Sequence, residues 1–220
     1  MLPLNRSGVP AVLRARSASF VADLDARTAD DEAIEAVLRG HVQRYAELVD
    51  RYQQTAWRIA YSFVGNAEDA KELSQNGFVK AYQHLAKFRR HAKFSTWLYR
   101  IIANECKDFF KRKARRPSTL PLGPRADGGD EPLFEVADRA ADPREAMANR
   151  ELANRLTAAI RQLPDKQQQA FILHHLHGLP FEEAADIMAC RVGTVKAHVF
   201  RACERLRGEL APYVKTEVRQ

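Results

Sequence analysis

What most limits how this chain can fold is a run of breakers near its middle. Between Arg116 and Asp142 it carries Pro117, Pro121, Gly123, Pro124, Gly128, Gly129 and Pro132. Proline removes a backbone donor and its ring collides with the preceding helical turn, and glycine adds backbone freedom that must be lost on folding. No packed helix or strand tolerates that density, so residues 117–142 read as a linker. It is also acidic: from Asp127 to Glu145 the chain holds Asp127, Asp130, Glu131, Glu135, Asp138, Asp142 and Glu145 against Arg139 and Arg144. The consequence is two separate blocks, each of which must bury a core of its own.

Both blocks carry apolar residues at helical spacing. In the first, Ile34, Val37, Leu38, Val42, Tyr45, Leu48, Val49 and Tyr52 recur at steps of three and four, with Gly40 as a possible break. Ala56, Ile59, Ala60, Phe63 and Val64 continue the stripe until Gly65 and Asn66 end it. A second helix follows through Ala70, Leu73, Phe78, Ala81, Tyr82 and Leu85, and a third from about Ser95 to Ala114 with Trp97, Leu98, Ile101, Ile102, Phe109 and Phe110. Ser95 is the expected N-cap of that third helix. The second block begins near Pro143, runs through Leu152, Leu156, Ile160 and Leu163, stops at Pro164, resumes through Ala170, Phe171, Leu173 and Leu176, and stops at Gly178. The remainder reads as two helices joined by a short turn. The expectation is an all-α protein: an N-terminal extension over 1–28, a helical domain over 29–116, the linker over 117–142, a second helical domain over 143–213 and a tail over 214–220.

Hydrophobic residues make up 45% of the 220, enough for packed cores. Lys and Arg total 35 against 28 for Asp and Glu, a net charge of +7, which favours polyanionic partners such as nucleic acid or an anionic membrane. No apolar run approaches the roughly 18 residues that cross a bilayer, and the N-terminus lacks a secretory core, so a cytoplasmic protein without membrane insertion is expected. Cys106, Cys190 and Cys203 form no CxxC pair and are expected as reduced thiols.

The most specific stretch is Phe181 to His198. A helix with Ala184, Ala185, Ile187 and Met188, a turn near Ala189 to Gly193, and a second helix from Thr194 have the proportions of a helix-turn-helix. In the second helix Val195, Val199, Ala202 and Leu206 follow i, i+4, i+7, i+11 and should face inward. That leaves Lys196, Ala197, Phe200, Arg201 and Arg205 outward, a basic face whose Arg201 can reach base edges in a major groove. An ordinary amphipathic helix with a solvated basic face would show the same periodicity. In the first block the third helix ends in Lys107, Lys111, Arg112, Lys113, Arg115 and Arg116, downstream of Phe88, Phe94, Trp97 and Tyr99. Cations beside aromatic rings suit single-stranded DNA, although Trp97 and Phe109 read better as core.

The run Phe88 to Asp108, FRRHAKFSTWLYRIIANECKD, resembles the second domain of extracytoplasmic-function sigma factors of the sigma-70 family. Asp69-Ala70-Lys71-Glu72-Leu73, with Gln75 and Phe78, resembles the polymerase-binding helix of that family. Leu163-Pro164, Gly178 to Ala185 and Val192 to Lys196 resemble its fourth domain. The resemblance implies a transcription initiation factor rather than an enzyme, with no cofactor, whose partners are core RNA polymerase, promoter DNA and an anti-sigma factor. It implies polymerase contacts at Asp69, Glu72, Leu73, Gln75 and Phe78. Contacts to the melted minus-10 element would fall on the Leu85 to Lys93 loop and the helix after it, at Arg89, Arg90, Asn104, Lys107, Lys111 and Arg112. Contacts to the minus-35 element would fall on Thr194, Lys196, Ala197, His198, Phe200, Arg201 and Arg205. Some positions depart from the family pattern: Lys71 and Asn76 replace usual acids, Ala197 and His198 replace the usual Ser and Arg, and Pro180 stands where Ser is common.

Two other classes meet part of the pattern. A helix-turn-helix repressor would explain Phe181 to Leu206 but leaves the Trp97 block without a purpose. A metalloenzyme on His174, His175 and His177 lacks the acidic companions of a metal motif.

Overall fold

The computed structural model describes residues 26–115 and 143–217, in the latter part without some side chains at either end. The linker 117–142 and the tail from 218 lie outside the described residues, as does the extension up to residue 25. Among the described residues there is no strand. The elements are α1 (residues 26–38), α2 (Tyr45–Val64), α3 (Ala67–Gln83), α4 (Phe94–Arg115), α5 (Pro143–Gln162), α6 (Asp165–Phe171), α7 (Phe181–Met188) and α8 (Val192–Glu217). Short 3-10 turns at Val42–Arg44 and Leu85–Lys87 and a π-turn at Ile172–Leu176 link them.

The N-terminal lobe is built from α1 to α4, with α2, α3 and α4 packed pairwise. Gly65, in the left-handed conformation at φ 71°, ends α2. Asn66 then caps α3, its side-chain oxygen accepting from the N–H groups of Glu68 and Asp69 at 3.0 Å each. Gly77 lets α3 lie against α4: a Cβ there would sit 2.5 Å from Cγ1 of Ile102. Leu48, Ile59, Leu73, Leu85, Leu98 and Ile102 are buried between the helices. Burying side chains of this size stabilises the lobe by roughly 1.5–3 kcal/mol each before chain entropy is counted.

Two sequence expectations shift. Helix α1 already includes residues 26–28, so the extension yields three residues to the lobe. Asp30, 4% exposed, ties α1 to α2 by accepting from Tyr52 at 2.5 Å and pairing with Arg51. Burial raises the Asp30 carboxyl pKa despite both partners. Helix α4 starts at Phe94, where the Lys93 carbonyl accepts the Trp97 N–H at 3.1 Å, so Ser95 lies inside the first turn rather than capping it.

In the C-terminal lobe α6 and α7 pack on α8, and α5 lies across α8. The two lobes touch. Helix α4 packs on α7, and α2 meets the π-turn, so the buried apolar residues form one continuous cluster. Polar contacts close the seam. Glu183 of α7 receives Lys93 at 2.9 Å and the Thr96 hydroxyl at 3.4 Å, and Ser62 of α2 lies 3.0 Å from Nε2 of His177. Burial, with the Arg58 charge second, pushes the His177 imidazole down to about 4. None of the described helices is long and apolar enough to cross a membrane.

Candidate nucleic-acid interface

The C-terminal site follows from a tight hand-over between α7 and α8. Pro180 caps α7 with extended backbone, its carbonyl accepting the Ala184 N–H at 3.0 Å, so the missing serine cap is replaced by a preset φ. Glu182 and Glu183 in the first turn complement the helix dipole. Ala189 ends α7 in the left-handed region at φ 51°, and the Cys190 N–H closes back on the Ala185 carbonyl at 3.1 Å. Arg191 accepts the Thr194 N–H at 2.8 Å and launches α8, which begins two residues before the expected Thr194.

Helix α8 divides by face as its spacing predicts. Val195, Val199, Ala202 and Leu206 are all buried, while Thr194, Lys196, Ala197, Arg201 and Arg205 are exposed and Phe200 is 62% exposed. Lys196 is aimed by an aromatic stack: its Nζ lies 5.4 Å from the Phe181 ring centroid, and Phe181 stacks on His174 at 3.9 Å. His198 is half-buried. Burial, then the charges of Arg201 and Lys166, lowers its pKa. The helix therefore shows solvent a cationic face with one large apolar side chain. Side chains of these types can contact phosphates, base edges and a thymine methyl in a major groove.

The N-terminal surface is arranged differently. Arg89 is exposed, but Arg90 is held in place. With φ 56°, a left-handed conformation that costs a non-glycine residue energy, Arg90 donates to Glu35 at 2.8 Å, lies 3.7 Å from Asp31, and accepts from Arg27 through its carbonyl at 3.3 Å. It therefore braces the loop onto α1. On α4, Asn104, Lys111 and Arg112 are exposed and Lys107 is half-buried, with Lys111 paired to Asp108 at 3.2 Å. Arg100, exposed on the same stripe at i, i+4, i+7 and i+11 with Asn104, Lys107 and Lys111, belongs with them and was readable from that spacing.

Of the residues expected on the polymerase-binding helix, Glu72 and Gln75 are exposed and Asp69 is half-buried, whereas Leu73 at 1% and Phe78 at 8% exposure are core. A partner cannot reach those two. The exposed apolar residues on α3 are instead Val79 at 54% and Tyr82 at 40%, which follow Glu72 and Gln75 along one helical face. His174 and His175, the residues of the disfavoured metalloenzyme alternative, make contacts within the protein. His174 lies 2.9 Å from the Leu179 carbonyl, His175 lies 3.5 Å from Cys203 Sγ, and no cluster able to hold a metal ion occurs among the described residues.

Comparison with known proteins adds to this geometry. The family described as Sigma-70 region 2 matches residues 48–116, and that described as Sigma-70, region 4 matches residues 153–206. The chain is 34% identical over 189 residues to the RNA polymerase sigma-H factor of Pseudomonas aeruginosa, covering 84% of this chain and 96% of that one. It is 32% identical, over the same shares of each chain, to the ECF RNA polymerase sigma-E factor of Escherichia coli K12. In fold it is similar to the sigma factor RpoE of Bartonella quintana, solved with the anti-sigma factor NepR, at a TM-score of 0.59 and 21% identity over 76% of this chain and 96% of that one. It is also similar to CnrH, solved with the cytosolic domain of CnrY, at 0.58 and 19% identity over 84% of this chain and 97% of that one.

Proposed function

The chain belongs to the sigma-70 family of RNA polymerase sigma factors, in its extracytoplasmic-function branch, and from that premise we propose how its own residues divide the work. As a sigma factor it directs promoter-specific transcription initiation and is a recognition subunit rather than an enzyme. Helix α8 enters the minus-35 major groove with Thr194, Lys196, Ala197, His198, Phe200, Arg201 and Arg205. The loop before α4 and the α4 stripe, with Arg89, Arg100, Asn104, Lys107, Lys111 and Arg112, receive the separated minus-10 strand. Glu72, Gln75, Val79 and Tyr82 on α3, with Asp69 at its start, dock on core polymerase. Arg90 serves by holding the loop rather than by touching DNA. The observation that carries this reading is the display of α8: each of its inward apolar positions is buried while the basic set is exposed.

The closed seam bears on how this works. Elements centred 25 base pairs apart are separated by roughly 85 Å at 3.4 Å per step. Here α7 packs against both α4 and α8, so the two DNA-facing surfaces lie far closer than that. The lobes therefore part when the factor joins polymerase and promoter. An anti-sigma partner, of the kind solved with the Bartonella quintana RpoE protein, would act by keeping both surfaces from their targets, and the site of action is the cytoplasm, where polymerase works.

Run-off transcription with core polymerase on a genomic library tests the reading. The factor should create new start sites with paired minus-35 and minus-10 sequences, and Arg201→Ala should erase preference at the upstream element. Starts unchanged from core polymerase alone would reject it.

A further inference from the structure

Between the lobes lies a half-open cavity of about 450 Å³, whose Lys107 and Lys111 also belong to the α4 stripe assigned to the minus-10 strand. One wall is α2 and α4, giving Phe63, Phe110, Lys107 and Lys111; the other is α6, giving Lys166 and Gln169. Its volume falls within the range of small-ligand sites, roughly 300–1,000 Å³. Two features mark it as more than a packing defect. Gln169 is 1% exposed, yet neither its side-chain oxygen nor its nitrogen finds a hydrogen-bond partner among the described residues. A buried amide left so costs on the order of 1–3 kcal/mol. Lys107 and Lys166 have no ion pair among the described residues, and Lys107 has its pKa lowered first by burial and then by Lys166 and Lys111. Lys107, Lys111 and Lys166 thus converge on a wall in which Asp165 is the one carboxylate among the described residues.

We propose that this cavity binds a purine nucleoside di- or triphosphate, its phosphates on Lys107, Lys111 and Lys166, its base against Phe63 and Phe110 with an edge on the Gln169 amide. Each part fits its group. Ammonium groups bind phosphate, rings accept a base face, and a glutamine amide offers the donor and acceptor that a purine edge requires. Asp165, also in the wall, is an acceptor suited to a ribose hydroxyl. Because the site takes Lys107 and Lys111 from one lobe and Lys166 and Gln169 from the other, the ligand binds only the closed chain and holds it closed by mass action. That regulatory consequence rests on the reading that the lobes must part; the binding itself does not.

The test is calorimetric titration of the full chain at physiological salt with ADP, GDP, pyrophosphate and adenosine. ADP or GDP should bind one to one, about tenfold or more tighter than either fragment. Replacing both Lys107 and Lys166 by Ala should weaken binding by about tenfold or more, while the double change Lys71→Ala with Lys87→Ala, at exposed positions outside the cavity wall, should leave it unchanged. Gln169→Met keeps the volume and should cost nucleotide affinity without changing that of pyrophosphate. Circular dichroism checks that each variant folds. Absence of saturable binding, equal affinity for pyrophosphate and nucleotides, or an undiminished signal in the Lys107 and Lys166 variant would each overturn the site. No polymerase or promoter is present, so these outcomes are independent of the transcription assay.

Discussion

The two lobes present their recognition surfaces in opposite ways. In the C-terminal lobe one helix does the presenting: the residues of α8 that pack and those that face solvent alternate along a single element, and every expected contact except His198 is openly exposed. In the N-terminal lobe the surface is composite. Arg90 depends on Glu35 and Asp31 of α1, the loop depends on Phe88 and Phe94 packed with Trp97, and Lys107 is half-buried at a cavity it shares with Lys166 of the other lobe. A reader helix set by one local turn tolerates change in its neighbours, whereas a composite surface fails when any support is removed.

The largest test of that contrast is Phe94→Ala. Phe94 is 2% exposed and touches the rings of Tyr52, Phe88 and Trp97, so its loss should cost about 3–5 kcal/mol. Thermal unfolding should drop, and promoter opening should suffer far more than the minus-35 footprint. Equal loss at both elements would break the contrast.

Acid should act next, on the seam that joins the lobes. The folded-state pKa of His177 lies near 4, below its ordinary value, so the open chain binds the proton more readily. The closed state is therefore favoured fully above about pH 6.5 and loses up to about 3 kcal/mol as pH falls toward 4. Scattering should show the chain expanding over that window, and His177→Gln should flatten the response.

Arg201→Ala should cost roughly 1–3 kcal/mol of promoter binding by polymerase, concentrated at minus-35 positions, as footprinting would show. The smallest effect should be a gain. Ala189 holds a left-handed φ of 51° that glycine adopts without strain, so Ala189→Gly should stabilise the C-terminal lobe by about 1 kcal/mol in denaturant melts and leave DNA binding unchanged.

The same contrast explains what could be read in advance. The helical class and the two faces of α8 follow from local spacing, which acts within a few residues. Leu73 and Phe78 were expected at the polymerase surface because motif resemblance does not distinguish which side of α3 faces α2 and α4; burial does. The role of Arg90 was out of reach because its partners lie 55 and more residues away, on a helix whose first turn read as extension. The seam was equally hidden: Ser62 and His177 are 115 positions apart, and Lys93 and Glu183 each look like a solvated charge.

The claim that the lobes are packed together in the free chain and separate on the promoter can be measured directly by energy transfer between dyes on Gln83→Cys and Glu204→Cys, both at exposed positions. Cys190 and Cys203 would be replaced by Ser, while Cys106 stays silent because burial pushes its thiol up to about 12. Transfer should be high in the free chain and collapse when core polymerase and promoter are added. Transfer that stays high while the complex initiates RNA synthesis would contradict it.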